Sequence, residues 1–218
     1  MITRFGLAPR KPGLTAAQFQ EHWRTAHAAV VRGMPGLVRY WQNHAVLRDG
    51  EPLLPWPGFD ACAQIDAESL VDFDRAFGSE HYQGPVREDE RRFVDGPRGG
   101  YVLSERVAVD GDVDPDGIRL LTFMRLAPLG SMTALADALK AAGPAAGSRA
   151  RELFLSQTGG SLGGQRFSLF DAVEALWFET PEQAEQYVRS AAARERRDIV
   201  AHLVRGTERL IARVNRAI

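Results

Sequence analysis

The chain has 218 residues, a formal net charge of -1, 44% hydrophobic and 25% charged residues. That composition belongs to an ordinary globular protein, and a near-neutral chain without a basic cluster offers no electrostatic footprint for nucleic acid or an anionic membrane. Its one cysteine, Cys62, excludes an intrachain disulfide, and no apolar run approaches the roughly 18 residues of a membrane span. With a strand-like start in place of a leader, these features lead us to expect a cytoplasmic protein whose Cys62 is a buried, unreactive thiol.

The first element is a short apolar strand, Ile2–Ala8, closed by Pro9 and the Lys11-Pro12-Gly13 turn. Thr15 can cap a helix, with Gln18 completing a capping box, and Phe19, Trp23, Ala26 and Val30 form its apolar stripe. Met34-Pro35-Gly36 stops that helix before a β-branched and aromatic strand over residues 37–47. A proline-rich loop leads to a strand over 59–65. A short helix striped by Leu70, Phe73 and Phe77 follows, then a helical stretch over 80–93 and a closing strand over 101–109. The order is β-α-β-β-α-β, and residues 110–117 read as a linker.

The second half repeats that order with defects: a strand over 120–124, an Ala-rich helix interrupted by Gly143-Pro144, a third strand over 173–178, a helix after Thr180-Pro181-Glu182, and a final strand over 207–215. Leu7-Ala8-Pro9 has a counterpart in Leu126-Ala127-Pro128, Thr15-Ala16 in Thr133-Ala134, Phe59-Asp60-Ala61 in Phe170-Asp171-Ala172, and Arg106-Val107 in Arg213-Val214. We therefore expect an α+β chain of two ferredoxin-like repeats, residues 1–110 and 117–218. A four-stranded sheet with helices on one face must bury its other face. Two on one chain can close an intramolecular barrel, and a homodimer of the whole chain stays open.

The stretch from Arg10-Lys11-Pro12-Gly13-Leu14-Thr15 through Phe19-Gln20-Glu21-His22-Trp23-Arg24-Thr25-Ala26-His27-Ala28, continuing into Arg39-Tyr40-Trp41-Gln42-Asn43-His44, resembles the EthD family. Phe170-Asp171-Ala172-Val173-Glu174-Ala175-Leu176-Trp177-Phe178 is similar to that family's third strand. The resemblance implies a dimeric α/β-barrel fold, here built from two halves of one chain. Families with this fold include cofactor-free oxygenases of aromatic polyketides, dehydratases and cyclases, lactone isomerases and haem-binding enzymes, so it implies architecture more firmly than reaction.

Four of the five histidines lie in the first half, so a catalytic centre is expected there. At about 100° per helical residue, His27 borders the Phe19–Trp23 stripe, while His22 falls roughly 140° away from it, a poor pair for one metal ion; no metal site is expected. A histidine among apolar neighbours suits proton transfer, and equally suits a hydrogen bond to a strand carbonyl. His44 shares a strand face with Gln42 and Tyr40, which either lines a cavity or forms a satisfied polar network. His81 and Tyr82 sit at a helix break, fit for a pocket mouth or for the surface. Trp23, Tyr40, Trp41 and Phe59 suit a hydrophobic cyclic ligand and equally suit an aromatic core. Gly159-Gly160-Ser161-Leu162-Gly163-Gly164 reads as a hairpin or loop, without the spacing of a phosphate cradle.

The leading expectation is a cofactor-independent enzyme (dehydratase, cyclase, isomerase or oxygenase) for a small aromatic or polycyclic substrate. In it His27, His44 and His81 handle protons, and Trp23, Tyr40, Trp41, Phe59 and Tyr82 bind substrate. A non-catalytic binder of a small hydrophobic molecule is the alternative. A haem protein with His27 or His81 as axial ligand is less supported, because no motif asks for it.

Overall fold

Alternation along Ile2–Ala8 (β1) sends Thr3, Phe5 and Leu7 to one face and Ile2, Arg4, Gly6 and Ala8 to the other. Phe5 and Leu7 join a core with Phe123, Phe154 and Val173 of the second half, whereas Ile2 packs with Ala28, Val31 and Phe73 of the helices. The first face is therefore the inside of a barrel and the second is covered by helices. The computed structural model describes residues 1–157 and 168–218; the glycine-rich 159–164 segment lies outside them.

The other barrel strands are Arg39–Ala45 (β2), Ala61–Ala67 (β5), Gly100–Gly111 (β6), Ile118–Leu126 (β7), Ala150–Ser156 (β8), Ala172–Phe178 (β9) and Val204–Arg216 (β10). A two-stranded hairpin, Leu47–Arg48 (β3) and Glu51–Pro52 (β4), stands apart. First-half strands run in the order β6-β1-β5-β2 and second-half strands in the order β10-β7-β9-β8, all antiparallel. Pairs β2–β10 and β6–β8 join the two sheets, so the barrel closes within one chain and no edge is left open. Each sheet has the ferredoxin-like order, and the two halves correspond strand for strand.

The sequence matches between the halves hold less well than the topology does. Phe59-Asp60-Ala61 and Phe170-Asp171-Ala172 are structural equivalents: Asp60 N–H donates to Ala8 O and Asp171 N–H to Met124 O. Their carboxylates accept from Arg10 N–H and Leu126 N–H. In the register this sets, Ala8 corresponds to Met124, three residues before Ala127, so the Leu-Ala-Pro match is a coincidence. Likewise the counterpart of the cap Thr15 is Ser131, which caps Met132–Ala142 (α5), and not Thr133. Arg106-Val107 and Arg213-Val214 are one residue out of register.

The helices are Ala16–His22 (α1) and Ala28–Val31 (α2), joined by a π turn at Trp23–His27, then Leu70–Gly78 (α3) and Arg87–Phe93 (α4), the latter entered through a π turn at Tyr82–Val86. The second half adds α5, Pro181–Arg189 (α6) and Ala191–Val200 (α7). Gly143 does not interrupt α5 but ends it, with a φ of 62° that favours glycine. The expected linker shrinks, because β6 runs on to Gly111. Among the described residues no helix is long and apolar enough to cross a membrane.

The barrel interior is filled. Arg119 donates to Asn43 Oδ1 at 2.8 Å, Gln64 Oε1 at 2.7 Å and Glu152 Oε2 at 3.1 Å. The Trp177 indole also donates to Glu152, and Arg106 reaches its other oxygen. Cys62 is buried there too, and burial pushes its thiol up to about 12, which makes it unreactive.

Candidate functional site

A cavity of about 380 Å³ lies between the helices and the outer face of β1 and β5. It exists because that face carries Gly6, Ala8, Ala61 and Ala63, which leave the space between sheet and helices unfilled. The equivalent second-half positions are Thr122, Met124, Ala172 and Glu174, and the matching space holds only about 50 Å³.

One wall is the π turn at Trp23–His27, where Ala28 N–H donates to Trp23 O, five residues back. Such a turn stacks residues five apart on one face. His22 and His27 are five apart, and both rings meet Asp89 of α4: His22 Nε2 lies 2.9 Å from Oδ1, and His27 Nδ1 lies 2.9 Å from Oδ2. Uniform α-helical spacing would hold them far apart, so the expectation of divergent histidines is corrected by the local backbone. They bridge opposite oxygens of one carboxylate. The Phe93 ring sits 4.8 Å from His22 and 4.9 Å from His27.

The Gln42 side chain holds this turn by donating to Trp23 O at 2.6 Å, and Asn215 donates to Gln42 Oε1 at 2.7 Å. Trp23 Nε1 donates to the Tyr40 hydroxyl at 2.9 Å. An ionised carboxylate only accepts hydrogen bonds, so the hydrogen between His27 and Asp89 belongs to Nδ1. The other nitrogen, Nε2, is then a bare acceptor on a ring that lines the cavity. Burial lowers the His27 pKa below 6.5, against the raising effect of the Asp89 hydrogen bond and charge, and His22 lowers it slightly further. The ring is neutral at pH 7, as a general base must be.

Of the expected site residues, the cavity brings together His27, Trp23, Tyr40 and Tyr82. Four others lie elsewhere. His44 packs on Trp23 at 4.5 Å, with Nε2 3.2 Å from Gln42 Oε1, and burial pushes its pKa down to about 4. His81 Nε2 meets the Val30 carbonyl at 2.7 Å and its ring fills the space over Gly33, clamping the end of α2. Trp41 points into the barrel, edge-on to Trp177 at 6.1 Å, and Phe59 packs on Phe123 at 5.4 Å. Each of these has the bland role that its residue type allowed.

Asp89, Arg4 and Glu90 are site residues that the sequence reading passed over. Asp89 occupies an apolar stripe with Val86 and Phe93, and an acid on such a stripe was a readable signal. Arg4 lies on the cavity side of β1 with Gly6, and burial lowers its pKa. Burial also raises the pKa of Glu90, against the lowering effects of the Arg87 and Arg4 charges and a Tyr82 hydrogen bond.

Residues 11–97, in the half of the chain that holds the cavity, match the family model described as EthD domain. Among solved structures, an anthrone oxidase-like protein is similar with a TM-score of 0.67 and 14% identity, over 99% of this chain and 93% of its own. Candidate monooxygenases from Lactobacillus acidophilus NCFM and Fusobacterium nucleatum subsp. nucleatum ATCC 25586 have TM-scores of 0.56 and 0.58, each at 8% identity. They cover 100% and 98% of this chain, and 94% and 91% of theirs is covered. At such identities the likeness shows the fold alone. No curated protein matches the sequence.

Proposed function

We propose that this EthD-domain protein is an enzyme that removes a proton from a small aromatic or polycyclic substrate, with His27 as the general base. The observation that carries the reading is the 2.9 Å contact between Asp89 Oδ2 and His27 Nδ1, on a ring that lines a 380 Å³ cavity. Asp89 fixes the tautomer and stabilises the imidazolium that forms when Nε2 takes the proton. Trp23 and Phe93 give apolar walls for a flat ring, and Tyr40 and Tyr82 bring hydroxyl groups to them. The proton leaves an acidic C–H or O–H of the substrate and the electron pair stays on it as an enolate or phenolate. Isomerisation, dehydration, cyclisation, or oxygenation by dioxygen can each follow from that anion, and the anthrone oxidase-like neighbour makes anthrone a sensible first compound.

The test follows exchange of the anthrone methylene protons with D2O by NMR, over the buffer rate. Wild type is expected to accelerate exchange, and His27→Gln to lose about 10²- to 10⁴-fold of that acceleration. An exchange rate unchanged in the variant removes the assignment. Saturable binding of anthrone without acceleration favours a non-catalytic binder.

A further inference from the structure

We infer that the cavity takes an aromatic ligand bearing an ionised acidic oxygen, a carboxylate or a phenolate-type anion, and that Arg4 is its anchor. The inference rests on the cavity being the substrate site, but not on His27 acting as a base.

Arg4 projects from the cavity side of β1, and its guanidinium folds back over Gly6, where a Cβ would meet Nη1 at 2.5 Å. Its charge is held between two rings, with Cζ 4.8 Å from the Phe77 centroid and 5.1 Å from that of Tyr101. Cation–π contact engages the charge without consuming the N–H donors. Among the described residues, Arg4 has no hydrogen bond and no carboxylate within ion-pairing distance.

Four other enclosed arginines are paired, Arg39 with Asp66, Arg119 with Glu152, Arg151 with Asp110 and Arg196 with Glu174, whereas the partly buried Arg209 is unpaired like Arg4 but lies away from this cavity. Arg4 is only partly buried and its unpartnered guanidinium nitrogens keep contact with solvent, so its donors stand open to a ligand in the cavity that it lines. Glu90 acts on Arg4 only from a distance, without an ion pair, so the guanidinium donors stay available to a ligand anion. A planar oxyanion at the Arg4 fork would supply the missing acceptor, as carboxylates commonly do for arginine. Gly6 is part of the device, because any side chain there would unseat the guanidinium.

The anion has two sources. A substrate can arrive with a carboxylate, or the anchored oxygen can be the phenolate or enolate formed by proton loss. Calorimetric titration of the full chain with 2-naphthoate, 2-naphthamide and 2-naphthol separates them. Wild type is expected to bind 2-naphthoate about ten- to a hundredfold more tightly than the neutral amide. Arg4→Gln erases that preference, Gly6→Ala reduces it while keeping the charge, and His27→Gln retains it; thermal unfolding checks that each variant folds. Affinity for 2-naphthol that rises with pH in wild type but not in Arg4→Gln assigns the phenolate source. A pH-independent 2-naphthol affinity beside a strong naphthoate preference assigns the carboxylate. Equal binding of naphthoate and naphthamide, no binding of naphthoate, or a preference that survives Arg4→Gln overturns the proposal. If the preference stands while proton exchange is unchanged in His27→Gln, the acid–base reading fails and the anion site remains.

Discussion

Asp89 Oδ2 lies 2.9 Å from Nδ1 of His27, and both residues are about one-twentieth exposed, at 5% and 6%. A buried carboxylate against a buried imidazole fixes which nitrogen carries the hydrogen and which is left as the acceptor. Asp89→Asn keeps the shape and removes that instruction, since an amide can offer either N–H or C=O to Nδ1. The variant is expected to fold and to lose at least about 10²-fold in rate. Steady-state kinetics checks this; a rate within threefold of wild type separates Asp89 from the chemistry.

The rate has an acid limb set by His27. Its pKa lies below 6.5 because burial outweighs the support of Asp89. The acid limb therefore has its midpoint below pH 6.5, as the ring protonates and Nε2 loses its lone pair. Removing the Asp89 charge takes away a raising influence, so the limb moves to still lower pH in Asp89→Asn. A limb that moves upward in that variant contradicts the assignment.

His44 makes a separate prediction about stability. Its pKa is pushed from 6.5 to about 4 in the folded protein, by burial first and by the Arg24 charge second. Between those values the unfolded chain binds the proton and the folded chain does not, so stability rises with pH. The contribution is complete above pH 6.5, is lost progressively on acidification, and costs up to about 3 kcal/mol at pH 4 and below. Urea unfolding of wild type and His44→Gln from pH 7 to pH 4 checks it: the difference in slope over that window must belong to His44.

Inside the barrel, Arg119→Met removes the partner that Asn43, Gln64 and Glu152 share. Glu152 keeps only the more exposed Arg106 as a counter-charge. We expect a loss of about 3–5 kcal/mol in urea unfolding, the usual cost of breaking a buried pair. The cavity lies on the other side of the sheet, so ligand binding by the folded variant is expected to persist.

The β-α-β-β-α-β order was legible in the first half, and in the second except for the strand Ala150–Ser156, because apolar periods and turn residues punctuate it: Lys11-Pro12-Gly13, Met34-Pro35-Gly36, the cap at Thr15 and the Thr180-Pro181-Glu182 helix start stand where the structure uses them. Closure into a barrel followed from the need to bury a bare sheet face. The π turns were not legible, since periodicity assumes a constant angle per residue. One such turn reverses the relation of His22 to His27 and so hides the role of Asp89. The cavity had a signal that went unused: Gly6, Ala8, Ala61 and Ala63 alternate along two strands, and small residues on a covered face leave space. His44, His81, Trp41 and Phe59 show the limit of reading by residue type, because burial against a neighbour and facing a ligand demand the same side chains.

The tautomer of His27 tests the account most directly. Long-range ¹H–¹⁵N NMR of ¹⁵N-histidine-labelled protein, with His27→Gln to assign the signals, reports the state of each ring nitrogen. At pH 7 we predict a neutral ring with hydrogen on Nδ1, held by Asp89, and a bare Nε2 toward the cavity. A ring protonated at both nitrogens at pH 7, or one carrying its hydrogen on Nε2, would contradict His27 as the base.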